Sequence, residues 1–316
     1  MTTHTLSIII PVRNQPDTLD ELLAKLDNQS CPEDCQVEII CVDNNSNDAT
    51  PGVIKKYNAI YLLETRLGPS FARNSGAAIS SGELLWFIDA DAFPLTDDFI
   101  IQIFDASLNL DDFVGFGGPI LLPKKQQNNL IAFADHMACW SDWRMNRGDR
   151  QSDFQPTSFI CRKSDFDLVG GFNTSLRVLE DWDLQERLKK SQQIKDGPNA
   201  PDRPIWFLKS LPVAHHARST LTRTIKHSWY WGLPSREGWF ARSGIPLRKM
   251  ETPVLRWFFF PALVWFRSKQ SFRAGWQVSR WRALFSFPFL LITLSVWAVA
   301  VIVGKGQPKD DKFAPL

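Results

Sequence analysis

Through the first 90 positions the apolar residues fall into short unbroken runs, each ended by polar turn formers and separated by stretches of helical period. Residues 6–12 form one such run and pass through Pro11-Val12 into Arg13-Asn14, the pattern of a buried strand entering a loop. Within residues 16–29, Leu19, Leu22, Leu23 and Leu26 recur at helical spacing, and Asp17 and Glu21 occupy the first turns, where they complement the helix dipole. Residues 37–42 read as a second buried strand, ending at the turn formers Asp43-Asn44-Asn45-Ser46-Asn47-Asp48. A short helix from Thr50 and a strand at 60–63 follow. Gly68-Pro69 then opens a helix whose small residues (Ala72, Ser75, Gly76, Ala77) permit close packing. Residues 84–88 make a fourth strand, which stops at Asp89-Ala90-Asp91. Strands alternating with helices at this spacing predict an α/β fold with a doubly wound, mostly parallel sheet.

In such a sheet, ligands bind beyond the carboxyl ends of the strands. The topology therefore collects Val12-Arg13-Asn14, Asp43 and Asp89/Asp91 into one crevice. The later chain is less regular: a strand is predicted at 113–122, a helix at 129–140 and a polar loop at 144–152. Gly170-Gly171-Phe172 precedes a helix that starts at Glu180-Asp181-Trp182-Asp183 and runs to about Lys190. Short strands at 205–208 and 211–214 lead into His215-His216.

The last third changes character. Nine of the thirteen tryptophans lie at or after Trp206, and residues 283–304 contain no charged side chain, with Arg280, Arg282 and Lys305 as flanks. A bilayer-spanning helix needs about 20 apolar residues, so this stretch is expected to span or insert deeply into a membrane, with Pro288 tolerated. The 13-residue apolar run at 254–266 is too short to span and suits an interfacial or re-entrant helix.

Composition sharpens that division. The net charge of +2 conceals 15 Lys+Arg against 3 Asp+Glu between Pro201 and Arg282, leaving an acidic remainder. A basic, Trp-rich stretch abutting an apolar helix points to a membrane surface rather than to nucleic acid. The five cysteines are odd in number and complete no zinc spacing, which reads as reduced thiols of a cytosolic compartment. The first residues lack the basic and apolar regions of a signal peptide.

Several positions are candidates for chemistry. Asp89 and Asp91, two apart at a strand end, suit a hard divalent cation that neutralises a diphosphate. Asp43 suits hydrogen bonds from a ribose or base, or an Asx-turn within its own loop. Glu180-Asp181 at a helix start is either dipole complementarity or a general base acting on an acceptor hydroxyl. His215 and His216 offer a metal ligand, or are satisfied strand-end histidines.

Taken together, residues 7–14 (Ser-Ile-Ile-Ile-Pro-Val-Arg-Asn), 42–50, 68–76 (Gly-Pro-Ser-Phe-Ala-Arg-Asn-Ser-Gly), Asp89-Ala90-Asp91, Gly170-Gly171-Phe172-Asn173 and Glu180-Asp181-Trp182-Asp183-Leu184 closely resemble glycosyltransferase family 2, of the GT-A fold. The resemblance covers about residues 5–220. It implies an inverting, nucleotide-sugar-dependent enzyme, with a UDP-linked donor expected. Asp43 would contact the nucleotide base or ribose, and Pro11, Arg13 and Arg73 would line the nucleotide pocket. Asp89 resembles the acid near the ribose and diphosphate, and Asp91 the ligand of Mn²⁺ or Mg²⁺. His215 resembles the late histidine that approaches the metal, ahead of His216. Asp181 matches the catalytic base, with Glu180 beside it in the acceptor site and Asp183 as fallback. The Asp43-Asn44-Asn45-Ser46 turn departs from the family, many of whose members carry a second acid and a glycine there. Gln277-Val278-Ser279-Arg280-Trp281 matches a signature of processive synthases but lies 96 residues beyond Asp181, much too far, so a non-processive enzyme is expected.

The resulting expectation is a catalytic domain at 1–220, a basic interfacial segment at 221–282, a membrane helix at 283–304 and a tail at 305–316. The expected place is the cell inner membrane, single-pass or peripheral, with the catalytic domain facing the cytoplasm and a glycan or lipid-linked acceptor. Competing readings are a catalytically silent nucleotide-sugar-binding membrane scaffold and a nucleotidyltransferase. Asp43, Asp91 and Asp181 together disfavour the former, and the lack of a Gly-rich basic loop after the first strand disfavours the latter.

Overall fold

In a computed structural model, the structure describes residues 4–142, 144, 148–152, 157–234 and 256–304. Contacts divide it into two compact units. One comprises the described residues of 1–121 and 145–215, and the other those of 122–144 and 216–315.

The first unit opens with β1 (His4–Val12), α1 (Pro16–Asp27), β2 (Cys35–Asp43), α2 (Thr50–Ile54), β3 (Ile60–Leu63), α3 (Pro69–Ile79) and β4 (Leu84–Ile88). After these come β5 (Ala92–Pro94), α4 (Phe99–Asn109), β6 (Gly115–Gly117) and β7 (Ile120–Leu121). β1 and β4 are buried on both faces, which is why both are near-continuous apolar runs rather than alternating ones. The remainder of this unit is β8 (Arg150–Ser152), β9 (Ser158–Arg162), α6 (Lys163–Leu168), α7 (Glu180–Lys189), α8 (Ser191–Asp196), β10 (Ile205–Phe207) and β11 (Val213–His215).

Eight strands form one sheet in the order β3-β2-β1-β4-β9-β6-β10-β8, and β5-β11-β7 form a second, smaller sheet. β3, β2, β1 and β4 are mutually parallel, whereas β9 runs antiparallel between β4 and β6. β1 is flanked by β2 and β4, so the strand order reverses at it, and the register sets Val12 opposite Asp43. The ends of β1, β2 and β4 thus open onto one crevice, as the alternation of elements predicts.

The single strand expected at 113–122 is instead two strands in two sheets, β6 and β7. Pro119 has no amide hydrogen to donate, and a Cβ on Gly118 would sit 2.1 Å from the Leu211 carbonyl oxygen. The chain therefore bends between them and crosses to the small sheet.

The second unit is helical: α5 (Leu130–Trp140), α9 (Leu221–Gly232), α10 (Phe260–Val278) and α11 (Arg280–Val303). Contacts group residues 122–144 with the chain beyond 216, although they lie ahead of position 220. α5 lies well before that point yet packs with the C-terminal helices, because all seven residues from Ala132 to Ala138 are buried, five of them apolar, and need cover on several sides. Phe133 and Met137 meet Ala274 and Ala283, while Ala134 and Ala138 meet Leu290 and Leu294. α9 reaches α11 at Gly232, whose absent Cβ would lie 2.5 Å from that of Ala300. Of the helix expected at 254–266, residues 254 and 255 lie outside the described residues; Arg256 and Trp257 are helical, a turn follows at 258–259, and α10 runs on from Phe260 to Val278. α11 is long and apolar enough to cross a membrane, and it continues through Pro288. The Gln277-to-Trp281 match falls at the α10–α11 corner. Gln277 Oε1 accepts a 2.8 Å bond from Arg144, and Ser279 caps α11, accepting from the Arg282 amide. The tail at 305–316, and residues 235–255, lie outside the described residues.

Candidate active site

The loops leaving β1 and β2 are zipped together. Asn14, in the left-handed region at φ 53°, donates its amide to Ser46 Oγ (3.0 Å) and accepts from the Asn47 amide (2.9 Å). Asp43 is buried; it accepts from the Ser46 amide (2.9 Å) and from the Tyr61 hydroxyl (3.0 Å). It therefore makes the Asx-turn, and a base contact would have to share its oxygens. Pro11 and Arg13 are half-buried at the end of β1, and Arg13 Nε has no hydrogen-bond partner among the described residues.

Asn44 ties this crevice to α3. Its Nδ2 donates to the carbonyls of Glu64 (2.9 Å) and Arg66 (2.7 Å), and its Oδ1 accepts from the Gly68 amide (2.8 Å). Gly68, at φ 135°, needs the freedom of glycine immediately before Pro69 starts the helix. Glu64 in turn accepts from the Ser75 hydroxyl and the Arg66 side chain. The Arg66 hydrogen bonds, aided by Ser75, outweigh burial and bring its carboxyl down to about 2.

Arg73, one turn into α3, is the hub. Its guanidinium donates to Asp89 Oδ1 at 2.7 Å and to Glu180 Oε1 at 2.8 Å, and stacks 5.2 Å from the Phe172 ring centre. Burial works against its charge, but Asp89, Glu180 and Asp181 outweigh burial and hold it as a cation. Asn74 beside it clasps Phe172, donating to its carbonyl and accepting from its amide, both at 2.8 Å. These bonds bring a segment 98 residues distant in sequence onto α3.

Glu180 and Asp181 occupy the first turn of α7, entered through Leu179 at φ 69°. A leucine in the left-handed region is strained, as is Thr157 at φ 67°, whose carbonyl accepts from the Asp89 amide at 3.0 Å. Both outliers adjoin the acids. Burial raises the carboxyl of Glu180 despite Arg73, and Glu180 Oε2 has no hydrogen-bond partner among the described residues. Burial, reinforced by the neighbouring Glu180 charge, raises Asp181 to about 7. A cavity of about 20 Å³, room for roughly one water, lies among Arg73, Phe87, Asp89, Phe172, Asp181 and Gln185. Asp183 belongs elsewhere: Arg187 grips its Oδ2 at 2.7 and 2.9 Å while holding the carbonyls of Val169 and Gly171.

Asp91 and His215 approach through the small sheet. β11 pairs with β5 so that His215 opposes Ala92, which puts His215 Nε2 3.4 Å from Asp91 Oδ1. Asp89, Asp91 and His215 each offer a ligand atom, all within 4.8 Å of one another. Two carboxylates and an imidazole suit a cation such as Mn²⁺ or Mg²⁺. Because Asp89 Oδ1 already holds Arg73, Asp91 and His215 are the principal ligands this set offers. His216 falls in the other compact unit.

Every candidate except His216 thus lies in one unit, with Asp89 joining the Arg73–Glu180 pair to the Asp91–His215 pair. Asn44, Glu64, Asn74, Thr157 and Gln185 were not anticipated. Asn44 and Asn74 lie within the recognised motifs, but their bonds run to partners distant in sequence.

A parallel-rich sheet with acids at its strand ends, an arginine bridge to a helix-borne acid pair and a carboxylate–histidine corner together make up this crevice. Residues 7–160, just under half of the chain, match the family described as Glycosyl transferase family 2, so this stretch is a family 2 glycosyltransferase domain. Poly(ribitol-phosphate) beta-glucosyltransferase from Bacillus spizizenii is 37% identical over 95 residues, which is 28% of this chain and 15% of that protein. The 4,4'-diaponeurosporenoate glycosyltransferase of Staphylococcus haemolyticus is 28% identical over 206 residues, 60% of this chain and 53% of that one. The chain thus spans about half of the second relative and much less of the first. Among solved structures, mannosyltransferase PcManGT from Pyrobaculum calidifontis, in complex with GDP-Man and Mn²⁺, superposes with a TM-score of 0.56 at 15% identity. That match covers 94% of this chain and 87% of the other. S. aureus TarS 1-349 in complex with UDP-GlcNAc gives 0.50 at 19% identity, over 68% and 59%. These two likenesses establish the fold.

Proposed function

We propose that this protein moves a sugar from a nucleotide-linked donor, UDP-sugar foremost, to a hydroxyl acceptor with inversion, one transfer per encounter. The observation that carries the reading is Arg73, which brings Asp89 from a strand end beside Glu180 and Asp181 from a helix start. A donor diphosphate would lie toward Asp91 and His215, which would hold a divalent cation. The cation, when bound, neutralises the charge that grows on the leaving diphosphate. Asp181 then takes the acceptor's proton. Its position in a buried pocket, with a carboxyl titrating near neutrality, suits a general base at cellular pH. Glu180, fixed by Arg73, orients the acceptor side. Glu180 and Asp181 thus face the acceptor while Asp91 and His215 face the leaving group, the arrangement that in-line displacement needs.

The acceptor side of this proposal is a membrane. From Arg256 to Gly304 the chain carries six Lys+Arg and no Asp or Glu. α10 and α11 expose Trp265, Phe266, Trp276, Trp281, Leu284 and Phe285. Such a surface suits anionic lipid headgroups and a lipid-linked or cell-envelope glycan acceptor. A single-pass topology fits less well. α5, α9 and α10 pack on α11 and would enter the bilayer with it, and Lys226, Arg267, Lys269 and Arg273 would each cost about 2.5–3.5 kcal/mol at its centre. The helical unit is therefore placed at the cytoplasmic face of the inner membrane, peripheral rather than spanning, with no nucleic-acid partner.

The test is sugar transfer and donor hydrolysis by the purified protein across a panel of nucleotide-sugars, with and without Mn²⁺, beside Asp91→Ala and Asp181→Asn. If all three proteins behave alike, the protein is a silent nucleotide-binding scaffold. A thermal-shift screen of nucleoside diphosphates identifies the base.

A further inference from the structure

A second cluster of metal-ligating side chains lies in the helical unit, and the proposed transfer reaction makes no use of it. Asp135 and Cys139 are four apart on α5 and so project from one helix face. His227, from α9, meets them. Each offers one ligand atom, and the three atoms lie within 4.8 Å of one another.

Asp135 shows that the cluster is more than a coincidence of residue types. Its side chain is 2% exposed. Oδ2 accepts from the Arg218 amide at 3.0 Å and from the Arg218 guanidinium at 3.5 Å. Oδ1 is buried and has no hydrogen-bond partner among the described residues. A buried carboxylate oxygen that nothing donates to is costly, and native structures rarely leave one so. The cation that would satisfy it is defined by its other neighbours, a thiol and an imidazole.

We propose that Asp135, Cys139 and His227 form a structural zinc-class site that clips α5 to α9. The donor set is carboxylate oxygen, sulfur and imidazole nitrogen, which suits Zn²⁺ and does not suit Mg²⁺ or Ca²⁺. It differs in kind from the oxygen-rich Asp89–Asp91–His215 set. Thiolate and carboxylate together offset the 2+ charge of the ion, and a water completes the tetrahedron. Ligand atoms on a tetrahedral zinc, at about 2.0–2.3 Å from the ion, lie roughly 3.3–3.8 Å apart, so small side-chain rotations close the present spacing. Without a cation, burial and the nearby Asp135 charge push the Cys139 thiol up to about 12, so it stays protonated. Metal binding would release that proton.

The experiment uses the full chain in an Asp91→Ala background, which weakens the other metal site. Zinc content is measured by elemental analysis after dialysis, and Co²⁺ substitution is followed by its thiolate charge-transfer absorption. The expected results are stoichiometric zinc, a thiolate-to-Co²⁺ band, and a melting temperature that falls when a chelator is added. Adding Cys139→Ser should abolish the band, and adding His227→Ala should weaken zinc binding by roughly tenfold or more. Both variants should lose the chelator effect. Folded protein without zinc or the band overturns the proposal. So does zinc retained undiminished in the Cys139→Ser and His227→Ala chains. Should either variant fail to fold, the band and the chelator shift of the Asp91→Ala chain decide alone.

Discussion

Replacing Arg73 by alanine removes the cation that buried Glu180 and half-buried Asp89 share. Its side chain is 12% exposed, and its partners Asp89 and Glu180 are 28% and 7% exposed. Breaking a buried ion pair by deleting one member costs about 3–5 kcal/mol, because the remaining charge stays buried without compensation. Glu180 is the severe case, since Oε2 already lacks a hydrogen-bond partner and Oε1 would lose its own. For a unit of this size that loss lowers the melting temperature by about 6–20 °C. The loss should also depend on pH. Without Arg73 the folded-state pKa of Glu180 rises further above its unfolded value, so the folded protein binds the extra proton. Stability then falls as pH rises from the unfolded carboxyl range near 4 toward the raised value, and the variant recovers on acidification. Glu180→Gln in the same chain should restore part of the stability at neutral pH, because a neutral amide needs no counter-charge. Melting by scanning fluorimetry at several pH values, on wild type, Arg73→Ala, Glu180→Gln and the double variant, reads all of this. A drop below about 1 kcal/mol, or one that is the same at every pH, would refute the reasoning.

Asp181→Asn should lower the transfer rate by about 10²–10⁴-fold while nucleotide-sugar affinity, measured by calorimetry, stays within a few-fold. Wild-type rate should rise with pH through about 7 as Asp181 loses its proton, and that limb should vanish in the variant. Asp183→Asn should retain activity and lose only about 0.3–1 kcal/mol, because its part-exposed pair with Arg187 serves the helix and the Gly170-Gly171 turn. Asn44→Ala removes three hydrogen bonds at the entrance to α3 and should cost about 2–4 kcal/mol in thermal or urea unfolding, and with it raise the Michaelis constant for donor. In vesicle flotation the protein should bind anionic lipid and not neutral lipid, less so in high salt. Trp281→Ser with Phe285→Ser should abolish the binding and leave transfer to a soluble acceptor intact.

Much of the catalytic fold was legible in the order of residues. The runs at 6–12 and 84–88 became β1 and β4 because strands buried on both faces must be largely apolar, and the run at 37–42 became β2, which is buried from Ile40 to Asp43. Leu19, Leu22, Leu23 and Leu26 became the buried face of α1 for the matching reason of period. The pattern failed where local signals conflict with long-range contacts. Residues 113–122 read as one apolar run, yet the close approach of Leu211 to Gly118 splits them between two sheets. α4 carries Ile100, Ile103 and Phe104 among its buried residues and went unpredicted, as did α9, whose polar composition hides the face it buries.

The same division holds at the site. The acids after β2 and β4, and the acid pair opening α7, are placed by local chemistry: a charged residue directly after a buried strand, or in a helix's first turn, stands out in the chain itself. Which of them act together is a matter of tertiary structure. Nothing near Arg73 in the sequence says that its guanidinium joins Asp89 to Glu180, 107 residues away, or that Asp43 spends its oxygens on Ser46 and Tyr61. Nor does the chain reveal that α5 leaves the catalytic stretch to pack with α9, α10 and α11. Hydrophobic period and turn chemistry act over a few residues and so can be read in order. Charge pairing, the sharing of a buried cation and the covering of a helix buried on several sides depend on distances that exist only once the chain has folded.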